Sequence, residues 1–250
     1  MTFSLETAIY TAALCRVAAD GDQDGFADLF EKYTINSRSA GQMWAVTGTI
    51  ANTESLSGVQ AVIFRGTATL GDWLDDEESA LAYFPEFDGK VHTGFYRCFD
   101  EVRDWLQSRL LKTKLVLITG HSLGGAMVTL AAQWLWSRDY MVLPTYTFGS
   151  PKVGNETFTT NYAPAQYRVV NDVDIVTYLP RISGYCHVGE EYHLPYSTVG
   201  LGRRLGLMAS HLWYGPGKLF VDSVKCHPIS AYMEALKREW EADHAETGTA

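Results

Sequence analysis

The sequence predicts one α/β domain, a central and mostly parallel sheet with helices on both faces. Three observations carry this expectation. The chain has 250 residues, the length of a single large domain. Short β-rich runs alternate along it with segments of helical period, the order that builds a parallel sheet through crossover helices. Leu115 to Thr119 is a continuous apolar run of strand length, as for a strand buried on both faces.

In chain order, Thr7 to Val17 reads as a first helix, with Ala8, Leu14 and Val17 among its apolar positions, ended by Asp20-Gly21-Asp22. The acidic run there is read as resembling a calcium loop only superficially. Met43 to Ile50 and Val59 to Phe64 are β-rich runs joined by the polar Asn52 to Gly58, so a hairpin is expected. Phe99, Val102, Leu106 and Leu110 have helical spacing within Tyr96 to Leu111. The strand Leu115 to Thr119 ends at Gly120, and a helical pattern runs from Leu123 to Trp136. Tyr146 to Gly149 and Tyr167 to Val170 read as further short strands. Leu194 to Cys226 is a long, glycine-bearing excursion, and such excursions in compact domains serve function or move. Residues 1–240 are expected to form the single domain, with 241–250 a disordered tail.

Composition excludes several classes. Hydrophobic residues make up 46% and charged residues 20%, which rules out a disordered chain. Asp and Glu number 29 against 20 Lys and Arg, a net charge of −9. A nucleic-acid partner is therefore not expected, because its affinity depends on neutralising phosphates. The cysteines Cys15, Cys98, Cys186 and Cys226 are scattered and read as thiols. No apolar run reaches the ~18 residues of a membrane span. Without a basic stretch at its start, the chain is expected in the cytoplasm.

The chemistry centres on Gly120-His121-Ser122-Leu123-Gly124, a G-x-S-x-G sequence. This pattern marks a nucleophile elbow when a strand precedes it and a helix follows, and both are predicted here. A serine hydroxyl at such a turn attacks carbonyl carbon once a base removes its proton. In that arrangement an acid and then a histidine follow in the chain. Asp172 and Asp174 stand just past a predicted strand, where acids reach the catalytic edge of such a sheet. Downstream histidines are His187, His193, His211, His227 and His244, of which position favours His211 or His227. His187, Glu191 and His193 could share a strand face, but this is read as a hydrogen-bonded set and no metal or cofactor is expected.

Thr119 to Gly125, with Phe64-Arg65-Gly66-Thr67 before it, resembles the class 3, fungal-type lipase family. Phe148-Gly149-Ser150-Pro151-Lys152-Val153-Gly154-Asn155, Val170 to Pro180 and His227-Pro228-Ile229-Ser230-Ala231-Tyr232 agree, in the family's order. The resemblance covers about two thirds of the chain, from residue 64 to 232. It implies an α/β-hydrolase fold, with Ser122 as nucleophile, Asp174 as acid and His227 as base; Asp172 remains the competing acid. It implies an oxyanion hole made by the Leu123 backbone N–H and by Thr67. It also implies a helical lid over about residues 68–84, where Leu70, Trp73 and Leu74 give one apolar face. Asp76 is expected to orient the Thr67 hydroxyl in the open form. The acids Asp75 to Glu78 argue against strong attraction to anionic lipid. The implied activity is hydrolysis of acylglycerols or related lipid esters through an acyl-enzyme, with transient contact between lid and lipid. A phospholipase A1, a short-chain esterase and a catalytically silent lipid-binding protein are the alternatives.

Overall fold

In a computed structural model of the chain, the described residues are 2–37, 44–51, 53–66, 80–194 and 225–247. Helix α1 (Leu5–Asp20) starts where the Ser4 hydroxyl accepts the Thr7 N–H, and it stops at Gly21, whose φ of 69° is left-handed. Helix α2 (Gln23–Leu29) leads into an antiparallel set, β1 (Phe30–Ser37), β2 (Trp44–Ile50) and β3 (Gln60–Phe64). The small pair β4 (Leu81–Tyr83) and β5 (Lys90–His92) precedes helix α3 (Thr93–Arg109). Next come β6 (Leu115–His121), α4 (Leu123–Trp136), β7 (Met141–Val142) and β8 (Thr145–Phe148). Helix α5 (Glu156–Thr160), β9 (Gln166–Asn171), a 3-10 turn (Ile175–Tyr178), β10 (Glu190–Leu194) and α6 (Ile229–Thr247) complete the order.

The main sheet runs β1-β2-β3-β6-β8-β9-β10, with the short β7 also on β6. From β3 onward every pairing is parallel. Alternate strand residues point to opposite faces, and the two cores follow that alternation. Val62, Phe64, Val116 and Ile118 pack with α3 and α4 on one face. Ala61, Ile63, Leu117 and Val169 pack with α1 and α6 on the other. Helix α4 is apolar nearly all round and correspondingly buried, which a helix tolerates only inside a core. Helix α3 buries the stripe Phe95, Phe99, Val102 and Leu106 and shows its charged residues to water.

Two boundaries differ from expectation. The segment after Trp240 continues α6 through Thr247, so residues 241–247 are helical rather than a loose tail. Strand β1 and helix α2 lie where the sequence pattern is weak. The polar Glu31, Lys32 and Thr34 interrupt any alternation, as an edge strand paired on one side allows. The long excursion falls largely in 195–224, outside the described residues. Most of the expected lid, with Trp73 and Asp76, falls outside them too, as does Thr67, the residue expected in the oxyanion hole.

Candidate active site

Strand β6 delivers its chain to a sharp turn at Ser122, whose φ of 59° and ψ of −129° are strained for a residue with a side chain. The turn holds because its backbone is paired on both sides: Ser122 N–H donates to the Phe148 carbonyl and Gly125 N–H to the Ser122 carbonyl, both at 2.8 Å. Helix α4 starts at Leu123 and must pass close to β3. A Cβ on Gly124 would lie 2.2 Å from the Phe64 carbonyl oxygen, so no larger residue fits without moving a backbone. The elbow therefore projects the Ser122 hydroxyl at the carboxyl end of the central strand.

Asp174 caps the 3-10 turn after β9 and is fully buried. Burying a carboxylate costs several kcal/mol unless its oxygens are paired, and here each has partners. Oδ1 accepts the Val176 N–H at 3.0 Å, and Oδ2 accepts the Tyr232 hydroxyl at 2.6 Å. His227 Nδ1 stands 2.9 Å from Oδ2 and 3.1 Å from Oδ1. Its Nε2 lies 2.9 Å from Ser122 Oγ. Because Nδ1 faces a carboxylate, it carries the hydrogen, and Nε2 is left as an acceptor for the serine proton. Of the two candidate acids, the one that meets His227 is Asp174. Asp172 sits one turn earlier at φ 50°, with its carbonyl 3.0 Å from His193 Nε2.

Several neighbours of this constellation escaped the sequence reading. The Tyr232 hydroxyl is held by Asp174, and burial first, then that carboxylate, push its pKa well above the ordinary tyrosine value. Gly149, at φ 58°, leaves room for the acid–base pair: a Cβ there would stand 2.6 Å from Asp174 Oδ2 and 3.0 Å from His227 Nδ1. Spacing alone cannot reveal these contacts, since each joins segments tens of residues apart. The N–H of Leu123 is the first amide of α4, which has no intrahelical acceptor.

Of His187, Glu191 and His193, the last two lie on β10 at two-residue spacing, while His187 stands outside the strand. His187 precedes β10, and its Nε2 donates to the Thr177 carbonyl at 2.6 Å, while Glu191 pairs with Arg168. The acids after α1 fit a calcium loop's spacing more fully than the sequence reading credits. Asp20, Asp22, Asp24, Gly25 and Glu31 stand at its first, third, fifth, sixth and twelfth places. The backbone departs from such a loop: the chain is helical from Gln23 to Leu29, Asp22 caps that helix, and Asp20 pairs with Arg16 at 2.6 Å. Among the described residues, no group of three or more acids, histidines or cysteines is placed to hold a metal.

The family model described as Lipase (class 3) matches residues 61–184, from β3 through the acid's loop. The chain belongs to the class 3 lipase family. A lipase of Rhizomucor miehei is 36% identical over 147 residues, which cover 52% of this chain and 40% of that protein. A secreted mono- and diacylglycerol lipase of Fusarium solani is 40% identical over 114 residues, covering 42% of this chain and 34% of that one. The chain thus spans less than half the length of these curated relatives. A solved structure of Rhizomucor miehei triacylglyceride lipase superposes with a TM-score of 0.62 at 29% identity, over 77% of this chain and 82% of that one. The fold of this family member is the α/β-hydrolase fold.

The relatives also correct the expected location. A relative named as secreted, within a group of fungal lipases, points to an extracellular rather than a cytoplasmic setting. The cytoplasmic expectation was drawn from the first residues, and these fold into α1. Ala8, Ala12, Leu14 and Ala18 are buried in the core there, so their composition records packing and carries no information on export.

Proposed function

We propose that this protein hydrolyses carboxylic esters of lipids, acylglycerols foremost, through an acyl-enzyme on Ser122. The observation that carries the reading is the unbroken chain of contacts from Ser122 Oγ through His227 to Asp174. In the acylation step the Ser122 oxygen attacks the ester carbonyl carbon while His227 Nε2 takes its proton. Asp174 holds the imidazole in the tautomer that can accept, and its charge stabilises the imidazolium that forms. The carbonyl oxygen becomes an oxyanion, for which the Leu123 N–H is one donor and Thr67 the other. The imidazolium then protonates the leaving alkoxide. Water, activated by the same base, attacks the acyl-enzyme and returns the serine.

The part of residues 68–84 that precedes β4 is read as a lid, within a single domain that takes in α6 to Thr247. The expectations that Trp73 lies on the lid's apolar face and that Asp76 orients the Thr67 hydroxyl concern residues outside the described ones. Supporting the lid reading are the family membership and the acylglycerol lipases among the relatives. No helix among the described residues is long and apolar enough to cross a membrane.

The test uses p-nitrophenyl esters from acetate to palmitate, a triglyceride and a phospholipid, together with labelling by a fluorophosphonate. Ser122→Ala is expected to abolish both turnover and labelling. Asp174→Asn is expected to lower kcat on the order of 10⁴-fold, as amidation of a triad acid does elsewhere, and Asp172→Asn far less. Undiminished turnover by folded Ser122→Ala would sink the reading.

A further inference from the structure

The base of the triad sits two residues before the start of α6. What holds it is visible in two hydrogen bonds to consecutive carbonyls. Asn171, the last residue of β9, donates from Nδ2 to the Cys226 carbonyl at 3.0 Å. His121, the last residue of β6, lies with Nε2 2.6 Å from the His227 carbonyl. A carbonyl can only accept, so Nε2 of His121 carries the hydrogen and donates. The His121 and His227 rings are 4.7 Å apart and inclined by 32°, and the Tyr232 ring closes the other side at 6.0 Å.

We propose that His121 and Asn171 are positioning residues that clamp the backbone of the His227 loop to the carboxyl edge of the sheet, His121 thereby setting the distance between nucleophile and base. This inference rests on the hydrolase reading above. His121 is bonded through one peptide to Ser122. The path from Ser122 through the His121 ring to the His227 carbonyl, and back through the His227 ring to Ser122 Oγ, is therefore a closed circuit of covalent links and two hydrogen bonds. Movement of the β6 terminus carries serine and histidine together, so their separation is kept. A misplacement of about 1 Å between such groups can cost roughly 100-fold in rate, and this circuit resists it.

Imidazole suits the task better than a cationic donor. Burial, and then the neighbouring His227, push the His121 pKa down to about 3, so it donates while uncharged. The groups that face it are His227, the Asp174 carboxylate and the Tyr232 ring. A lysine or arginine there would offer a donor too. It would also put a fixed positive charge beside the imidazolium that acylation creates, and oppose that step.

The experiment compares His121→Leu, which fills space without a donor, with His121→Gln, whose amide N–H can reach the same carbonyl. Hydrolysis of p-nitrophenyl butyrate is followed alongside fluorophosphonate labelling rate and thermal melting. His121→Leu is expected to lose roughly 10- to 100-fold in kcat with KM changed less than about two-fold. Labelling should slow in step, and His121→Gln should recover most of the loss. Wild-type kcat in His121→Leu, or equal impairment of the two variants, overturns the clamp. If His121→Leu fails to fold, Asn171→Ala decides in its place: a fall in kcat at unchanged KM supports the proposal, and wild-type kcat overturns it. Ser122→Ala runs beside them. If it turns over like wild type, the hydrolase reading has failed whatever the other variants do; if it is inactive, their outcome bears on the clamp alone.

Discussion

The site depends on one position where a side chain is missing. Gly149 combines a left-handed φ of 58° with a place against the hydrogen bond between Asp174 and His227. Gly149→Ala would bring a methyl group within 2.6 Å of Asp174 Oδ2, closer than a carbon and an oxygen can approach. The acid or the base must shift. The expected outcome is a kcat lowered by roughly ten-fold or more, read in an ester assay, with melting and urea titration to separate strain from chemistry. A wild-type kcat would mean that the loop yields instead. Such a residue was legible in the sequence only as part of a motif. Its role became readable once Asp174 and His227 were placed, because a glycine offers no chemistry of its own to suggest a partner. Tyr232 is similar: a tyrosine in a helical pattern reads as core, and its hydroxyl's partner lies 58 positions back in the chain.

At the scale of elements, the strand–turn–helix unit of β6 and α4 was the part the sequence described best. Both flanks are continuously apolar, so periodicity and length agree, and glycines mark the turn. The hairpin of β2 and β3 was legible as two β-rich runs joined by a polar connection. Strand β1 was not, because an edge strand does not need two apolar faces and its pattern dissolves into ordinary surface composition. The close seating of α4 on β3 sets a test. In Gly124→Ala the new methyl group meets the Phe64 carbonyl oxygen, a backbone atom that cannot rotate away. The helix must rise off the sheet, and overpacking of this kind costs about 1–3 kcal/mol. A lower urea midpoint and slower fluorophosphonate labelling are expected together, since the same helix supplies the Leu123 N–H. A lower midpoint with unchanged labelling would separate the helix seat from the oxyanion donor.

For the whole molecule, buried neutral histidines tie stability to pH. His92 is fully buried, and its Nδ1 accepts the Phe95 N–H at the start of α3. Burial pushes its pKa from 6.5 down to about 4. Burial does the same to His121 and His187, whose values fall to about 3. Below pH 6.5 the unfolded chain takes up protons that the folded chain refuses, so stability falls as the pH drops from there toward about 4. For His92 the slope is about 1.4 kcal/mol per pH unit. Urea midpoints at pH 7, 6 and 5 are expected to decline more steeply in wild type than in His92→Asn, which keeps a capping acceptor but cannot be protonated there. Parallel declines would assign the acid sensitivity to other groups.

Ser122, Asp174 and His227 are met in that order as the chain is made from its amino end. The strands β1 to β10 leave the ribosome before the segment that supplies the base. A nascent chain emitted through β10 holds a strained serine and a carboxylate with nothing to move a proton between substrate and solvent. Chemical competence arrives only with the docking of α6, whose Tyr232 and buried Leu236 seat it against the sheet. On the hydrolase reading, the newborn protein is therefore silent toward the lipids of the cell that makes it until α6 has been made and has docked.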